Sequence, residues 1–157
     1  MDHPDVWSQI ESLYRAHFPQ FVRVARAITG DRESALEAVQ EGFADALRNA
    51  TQWAGRGPLE GWVWRCVVNR ARKARRRPVV ELSGGEPSSN GGPGDSELGT
   101  RLAALPERQR LVVFLRYFAD LEYREIGAAL GIETGTVSAT LHAAHTNLRT
   151  AFEEAHA

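Results

Sequence analysis

The sequence predicts an all-α protein built from two small helical domains that a flexible linker joins. Apolar residues recur at helical spacing in both halves of the 157-residue chain. A stretch rich in Gly, Ser and Pro separates the halves. Residues 106–152 have the pattern of a helix-turn-helix, which places one helix into a DNA groove. The predicted organisation is a first domain at 1–77, a linker at 78–100 and a second domain at 101–157.

Composition indicates a globular protein and excludes several classes. The chain is 43% hydrophobic and 25% charged, as folded domains are. It has no apolar run of about 18 residues, the length that a membrane-spanning helix needs. The first residues, MDHPDVWSQI, lack the basic and apolar regions of a signal peptide. One cysteine, Cys66, excludes an internal disulfide and a cysteine-rich zinc site. We expect a cytoplasmic protein in which Cys66 is a small buried hydrophobe.

Charge is segregated along the chain, although the net charge is only −1. Residues 1–77 hold 13 Lys/Arg and 9 Asp/Glu, residues 78–100 hold 4 Asp/Glu and no Lys/Arg, and residues 101–157 hold 6 Arg and 7 Asp/Glu. A basic half followed by an acidic tether is typical of proteins that bind nucleic acid. The sequence offers no phosphate-binding Gly loop, metal-ligand cluster or catalytic constellation. We therefore expect no cofactor and no enzyme activity.

Three helices are predicted in the first half. Residues 5–29 form the first, which Pro19 breaks or kinks, and residues 32–53 form the second. The outward face of the second helix is acidic and polar. Such a face is usually just solvated, but it is also suited to contact a partner. After the loop at 54–58, a third helix begins near Leu59.

The third helix is strongly basic. From Trp62 to Arg77 it carries seven Lys/Arg and no acidic residue, and binding to a polyanion would offset the self-repulsion of this run. Trp53, Trp62 and Trp64 lie beside it. Bases stack on aromatic rings while Arg and Lys bind phosphates, so the mixture favours single-stranded or partly melted DNA. Tryptophans at helical spacing are more often core residues, and we expect Trp62 to be one.

The second half begins with a helix, a break and a short second helix. Pro106 suits the first turn of a helix, and Asp120 interrupts that helix. The second helix runs from about residue 122 to 130, and Gly131 follows where a positive φ is needed. Thr134 is predicted to cap the third helix through its hydroxyl. The residues expected to be buried are Leu111, Val112, Leu115, Phe118, Ile126, Leu130, Val137, Leu141, Ala144, Leu148 and Phe152.

The opposite face of the last helix is polar and able to hydrogen-bond, with Thr136, Ser138, Thr140, His142 and Asn147. This favours a helix that reads DNA. Periodicity alone is equally compatible with an ordinary three-helix packing unit that has no role in DNA binding.

The segment LPERQRLVVFLRYFADLEYREIGAALGIETGTVSATLHAAHTNLR resembles region 4 of bacterial sigma factors, in particular those of the extracytoplasmic-function (ECF) group. The resemblance covers roughly fifty residues without a gap. The matching pieces are Leu105-Pro106, Arg108-Gln109-Arg110, Leu115-Arg116-Tyr117, Tyr123, Glu125-Ile126, Leu130-Gly131-Ile132 and Gly135-Thr136-Val137.

The first half is similar to region 2 of the same group. Residues 38–43, AVQEGF, resemble the segment that contacts the clamp helices of RNA polymerase, except that Ala38 stands where an acidic residue is common. Residues 61–70, GWVWRCVVNR, resemble the helix that touches the promoter, and the loop at about 49–57 corresponds to the one that captures a base of the −10 element.

The resemblance implies three sets of site residues and three partners: core RNA polymerase, promoter DNA and an anti-sigma factor. The residues implied to bind DNA on the −10 side are Trp53, Arg56, Trp64, Arg65, Asn69, Arg70, Arg72, Lys73, Arg75, Arg76 and Arg77. Those implied on the −35 side are Thr134, Thr136, Val137, Ser138, Thr140, His142 and Arg149. Those implied to bind polymerase are Glu37, Gln40, Glu41, Phe43 and Asp45.

The predicted linker is long enough for the two domains to hold separated promoter elements. A flexible coil over residues 78–100 averages about 25–30 Å end to end. Fully extended it reaches roughly 75 Å, which is about two turns of DNA.

One departure from the family concerns the last helix, where Lys and Arg are common after the GTV motif. Here one Arg and two His replace that basic cluster. Fewer bonds to phosphates mean weaker DNA binding and a weaker dependence on salt, so we expect the second domain to bind DNA weakly alone. Two alternatives to a sigma factor follow: a sigma-like decoy that occupies polymerase or an anti-sigma factor, and a stand-alone helix-turn-helix regulator.

Overall fold

A computed structural model describes residues 5–53, 55–76 and 97–156. Within these ranges the protein is helical and contains no strand, which confirms the all-α prediction. A π-helical turn, Phe114–Phe118, directly follows the sixth helix. The helices are α1 Val6–Thr29, α2 Arg32–Arg48, α3 Ala50–Trp53, α4 Leu59–Arg76, α5 Glu97–Ala103, α6 Glu107–Val113, α7 Tyr123–Leu130 and α8 Thr134–Ala155.

Helix α1 is kinked, as Pro19 predicts. Its backbone departs from helical geometry at His17 (φ −124°, ψ 15°), because the proline ring has no N–H to donate and crowds the preceding turn. Asp5 accepts a hydrogen bond from the N–H of Trp7 at the start. Gly30 ends the helix with φ 93°, a conformation that favours glycine.

Helices α1, α2 and α4 pack around an aromatic core. The rings of Phe21 and Trp64 are stacked with centroids 3.9 Å apart, and Phe21 meets Phe43 edge-on at 4.8 Å. Helices α2 and α4 approach closely at Gly42, where a Cβ atom would lie 2.6 Å from the Cα of Val67. These three helices form the N-terminal domain.

The prediction of one helix over 32–53 is wrong, because α2 ends at Arg48. Asn49 leaves the helical conformation (φ −108°, ψ 18°), and its Nδ2 donates to the carbonyl oxygen of Asp45 at 3.0 Å. A short polar side chain that bonds to the backbone in this way competes with helix continuation. The separate turn α3 follows.

The last residues of the predicted linker are helical. Residues 97–100, predicted as linker, belong to α5, and the rest of the predicted linker lies outside the described residues. The nearly buried Arg110 joins α5 to α6. Its Nη1 donates to the carbonyl oxygens of Ala103 at 3.0 Å and of Leu105 at 3.2 Å. These bonds satisfy carbonyl groups that the end of α5 leaves unpaired.

The helix-turn-helix is formed by α7 and α8. Asp120 has φ 57° and marks the predicted break before α7. The N–H of Glu122 donates to Oε1 of Glu125 at 3.0 Å, and Gly131 adopts the predicted positive φ of 69°. The predicted cap is displaced by one residue: Glu133 is the extended N-cap, whereas Thr134 is already helical.

The two domains are in contact. Helix α4 packs against α7, and α1 packs against the π-helical turn. Arg72 of α4 forms an ion pair with Glu107 of α6, with Nη2 and Oε1 2.5 Å apart. The sequence did not predict this contact.

Candidate nucleic-acid interface

Helix α4 presents a basic stripe to solvent. Arg65, Asn69 and Lys73 are exposed and are spaced four residues apart, so they lie above one another on one face. Arg75 is exposed as well. This face could bind successive phosphates of a DNA strand. The helical backbone reaches residue 76, but the side chain of Arg76 and all of Arg77 lie outside the described residues.

Arg70, predicted to bind DNA, is instead engaged by two residues predicted to bind polymerase. Its Nε and Nη2 bond to the two carboxylate oxygens of Asp45, at 2.5 and 2.8 Å, and its Nη1 bonds to Glu41 at 3.2 Å. Arg48 also pairs with Asp45. The hydrogen bond from Arg70 is the main cause that holds the pKa of the Asp45 carboxyl below its ordinary value. This bidentate pair joins α2 to α4.

The pair predicts a pH-dependent stability. We expect Arg70→Ala to lower the free energy of unfolding at pH 7, because Asp45 stabilises the fold above the ordinary Asp pKa of about 3.9. That contribution is lost as the pH falls through the lowered pKa of Asp45. The difference in free energy of unfolding between wild type and Arg70→Ala should therefore become smaller towards low pH. Urea unfolding at neutral and acidic pH measures it.

Arg48→Ala is the control for this prediction, because Arg48 is more exposed than Arg70 and contacts the same carboxylate. At neutral pH, Arg48→Ala should lower the free energy of unfolding less than Arg70→Ala does. A gap between wild type and Arg70→Ala that stays constant from neutral to acidic pH would contradict the assignment.

The tryptophans exchange the roles that the sequence suggested. Trp64, predicted to contact DNA, is fully buried and stacked on Phe21, so it offers no face to a base. Trp62, predicted to be buried, is only partly buried and lines a surface cleft. The reason is geometric: positions 63, 64, 67, 68 and 71 form the buried side of α4. Trp53 is half-buried, and its Nε1 donates to the carbonyl oxygen of Gly57 at 3.2 Å.

Helix α8 exposes most of the residues predicted to face the −35 element. Thr134, Thr136, Ser138, His142 and Arg149 are exposed, and Thr140 is partly exposed. Val137 is fully buried, so its side chain supports the helix and cannot reach a base. Two hydrogen bonds hold α8 in place. Asn147 of α8 donates to Gln109 of α6 at 2.8 Å, and His145 of α8 shares a hydrogen bond of 2.8 Å with Tyr117 of the π-helical turn.

The surface predicted to bind polymerase is only partly available. Glu37 and Gln40 are exposed on α2, whereas Phe43 is buried against Phe21 and cannot reach a partner. Ala38 is also buried, beside the cleft that Glu41 and Arg70 line. Glu41 and Asp45 remain partly exposed but are engaged by Arg70.

A cleft of about 730 Å³ separates the two predicted DNA surfaces. Arg56, Trp62 and Arg65 line it from the N-terminal domain, and Arg124 and the first turn of α8 line it from the other side. Arg124 was not predicted, because an isolated arginine on a short helix carries no pattern of its own.

Where α4 meets α7, Glu60 of α4 lies near Glu125 of α7. Burial, followed by the nearby Glu125, raises the pKa of the Glu60 carboxyl. Gly61 lies at the same contact: a Cβ there would be 2.7 Å from both the Cβ of Ala128 and the carbonyl oxygen of Glu125. A glycine inside a helix is often a sign of such a close approach.

Other classes of site find little support in the described part of the chain. Over residues 5–53, 55–76 and 97–156, no three His, Cys, Asp or Glu side chains are grouped closely enough to hold a metal ion. Across those ranges there is also no helix with the length and apolarity to cross a membrane. Cys66 is half-buried, and burial is the main cause that raises the pKa of its thiol to about 11. A protonated thiol is a poor nucleophile.

Family models match both halves of the chain. Sigma-70 region 2 matches residues 13–78, and Sigma-70 region 4 matches residues 101–150. The chain is 30% identical to the ECF RNA polymerase sigma factor SigE of Mycolicibacterium smegmatis, over 88% of this chain and 60% of that protein. It is 29% identical to the RNA polymerase sigma factor SigV of Bacillus subtilis, over 82% of this chain and 81% of that one.

Solved structures share the fold at low sequence identity. CnrH, in complex with the cytosolic domain of CnrY, has a TM-score of 0.73 at 18% identity, with 95% of this chain and 96% of that chain covered. RpoE of Bartonella quintana, in complex with the anti-sigma factor NepR, has a TM-score of 0.64 at 17% identity, with 93% and 98% covered. On the two matched regions and these relatives, the chain belongs to the ECF group of the sigma-70 family of RNA polymerase sigma factors.

Proposed function

We propose that this chain is an alternative sigma factor that binds core RNA polymerase, directs it to specific promoters and helps to melt the −10 region. The observation that carries the proposal is the presence of both regions in one chain, in the order 2 then 4. The chain spans 60% of the length of the SigE relative and 81% of SigV. Catalysis belongs to the polymerase, and the chain contributes binding and positioning.

In this proposal the basic stripe of α4 binds the backbone of the −10 strand. Trp62 takes the DNA-binding role that the sequence predicted for Trp64, because it is the tryptophan of α4 whose ring is partly exposed. Trp53 and Arg56 lie in the preceding segment, where they can contact an unstacked base. The exposed Thr, Ser and His side chains of α8 face the −35 element.

We expect the stripe to determine how promoter binding depends on salt. Replacing both Lys73 and Arg75 with alanine should weaken binding and flatten the plot of log affinity against log salt, by about 0.7 for each phosphate that the variant no longer binds. Fluorescence titration of a labelled promoter with the polymerase complex, over several salt concentrations, measures the slope.

The control is Arg15→Ala, which removes an arginine whose side chain is 77% exposed on α1, outside the stripe. It should leave the slope unchanged. Equal slopes for the Lys73/Arg75 double variant and wild type would remove these two residues from the interface.

Run-off transcription from a pool of genomic fragments, with purified core polymerase and with or without this chain, tests the function itself. New discrete start sites that depend on the chain would establish a sigma factor, and the sequences upstream of them would give its promoter code. Failure of the chain to bind core polymerase would overturn the proposal.

A sigma-like decoy is the second candidate, and the sequence of α8 favours it. Arg149 is the only Lys or Arg between residues 134 and 155, so this helix has little charge with which to hold phosphates. A decoy would co-elute with core polymerase and yield no transcripts. A stand-alone regulator would instead bind specific duplex DNA without polymerase.

Two further assignments belong to the proposal. A sigma factor acts where RNA polymerase acts, so we place the chain in the cytoplasm. Its family also implies an anti-sigma factor as partner, and the RpoE structure is a complex with such a factor. Co-purification of the tagged chain from its own cells would identify that partner.

A further inference from the structure

A small cavity lies between α4 and α6, away from the cleft described above. Its volume is about 280 Å³, just below the range of about 300–1,000 Å³ that is usual for pockets of drug-sized ligands. It therefore has room for a small ligand. The residues that line it come from α1, α4 and α6, and they are Ile28, Arg72, Arg75, Glu107, Arg110 and Leu111.

The lining of this cavity is positively charged. Three of its side chains are guanidinium groups, and Glu107 carries the one carboxylate among the described residues that line it. Three cations and one anion leave a net charge of +2. Ile28 and Leu111 are buried apolar side chains and offer no group that could neutralise this charge.

One polar atom of the lining has no partner. The Nη2 of Arg72 pairs with Oε1 of Glu107 at 2.5 Å. The Nε of Arg72 is buried and has no hydrogen-bond partner within the part of the chain that the structure describes. Buried polar atoms are nearly always hydrogen-bonded, so a donor of this kind indicates a bound water or ion.

The arginines from the two domains also repel each other. Burial, followed by the charge of Arg75, lowers the pKa of Arg110, whereas Glu107 acts in the opposite direction as the smallest of the three causes. Arg110 is held in place because its Nη1 donates to the carbonyl oxygens of Ala103 and Leu105. An anion bound between Arg75 and Arg110 would offset their repulsion.

A phosphate group has the charge and the acceptors that this lining requires. Arg72 and Arg75 lie three residues apart on α4, so their side chains are neighbours, and a guanidinium group can donate two parallel N–H groups to phosphate oxygens. A terminal phosphate group carries a charge of about −1.5 to −2 at pH 7, which matches the net charge of +2. A phosphodiester of DNA carries one negative charge and matches it less well.

We propose that the cavity lined by Arg72, Arg75 and Arg110 binds a phosphate dianion, either free phosphate or the terminal phosphate group of a small molecule. Arg72 and Arg75 donate to its oxygens from α4, and Arg110 donates from α6. The ligand therefore contacts both domains. This site goes beyond the proposed function and does not depend on it, because binding is a property of the free chain.

Isothermal titration calorimetry of the full-length chain with inorganic phosphate tests the site, at constant ionic strength and about pH 8, where phosphate is a dianion. Saturable binding of phosphate is expected. Arg75→Gln should weaken it about tenfold or more, because it removes a hydrogen bond between charged groups. Arg75 is exposed, so this variant should fold. Arg15→Gln is the matched control: Arg15 is exposed on α1 outside the cavity, and the affinity should not change.

Glu107→Gln should have the opposite effect. It removes the carboxylate of the lining and releases the Nη2 of Arg72, so the affinity for phosphate should increase severalfold. A variant that merely fails to fold would lose affinity, so an increase cannot come from unfolding. Absence of saturable phosphate binding to the wild type, or equal affinities of wild type, Arg75→Gln and Glu107→Gln, would overturn the proposal.

A short single-stranded oligonucleotide without terminal phosphates distinguishes the two sources of phosphate. Under the proposal, inorganic phosphate binds in the absence of DNA, and Glu107→Gln raises its affinity. If the oligonucleotide binds with an affinity that depends on Arg75 and Glu107, and inorganic phosphate does not bind, the cavity belongs to the DNA surface of α4 and the proposed site does not exist.

Discussion

Replacing Trp64 with alanine is expected to lower the free energy of unfolding by about 3–5 kcal/mol. The side chain is fully buried, and its ring is stacked on Phe21 with centroids 3.9 Å apart. Alanine would remove this stacking and leave a cavity between α1 and α4 that a close-packed core fills only partly. Because small domains are stable by about 5–15 kcal/mol, the reduction is a large part of the total. Urea unfolding followed by circular dichroism measures it.

Trp62→Ala is the matched control, on the same helix two residues earlier. Its ring is partly exposed and lines the cleft, so the reduction in stability should be clearly smaller. Under the proposed function, this variant should instead weaken binding to single-stranded DNA by about 1–3 kcal/mol. If Trp62→Ala unfolds the protein as readily as Trp64→Ala, the division of roles between the two tryptophans is wrong.

Gly42→Ala is expected to destabilise the N-terminal domain by about 1–3 kcal/mol, although alanine normally favours a helix. A Cβ at this position would lie 2.6 Å from the Cα and 2.9 Å from the backbone N of Val67. Backbone atoms cannot rotate away as a side chain can, so α2 and α4 would have to separate. The separation would loosen the packing of Phe43 and Val67, both of which are buried. Thermal and urea unfolding report the change.

Gly135→Ala is the matched control, since the Cβ that this substitution adds to α8 has no atom within 4 Å. There the helix propensity of alanine should dominate and raise stability by up to about 1 kcal/mol. The two glycine substitutions should therefore change the stability in opposite directions. A stabilising Gly42→Ala would show that α2 and α4 are further apart in solution than the structure places them.

The features that sequence predicted well are those decided by local chemistry. Pro19 kinks α1, Gly131 ends α7 with a positive φ, and Asp120 marks the break before α7. Each of these residues restricts its own backbone, whatever surrounds it. The helix-turn-helix of the second half could be predicted for the same reason, because the residues that define it lie close together in the chain.

The features that sequence missed depend on which way a helix faces. Trp62 and Trp64 are chemically identical, and only the packing of α4 against α1 and α2 decides which one is buried. Arg70 is one of the seven basic residues between Trp62 and Arg77, yet it is held by Asp45, 25 residues away. The docking of α4 on α7 is of the same kind, because it depends on a close backbone approach at Gly61 that no local pattern encodes.

The π-helical turn at Phe114–Phe118 absorbs one residue without changing which way the flanking segments face. The N–H of Ala119 donates to the carbonyl oxygen of Phe114 at 3.2 Å, so the turn takes up one residue more than an α-helical turn. Deleting one residue from the turn would restore a regular α-helical turn and leave the segments before and after it in register. Val112 and Leu121, both buried, should therefore stay buried. Relatives that differ by one residue at this turn can consequently keep the same orientation of the helix that corresponds to α8.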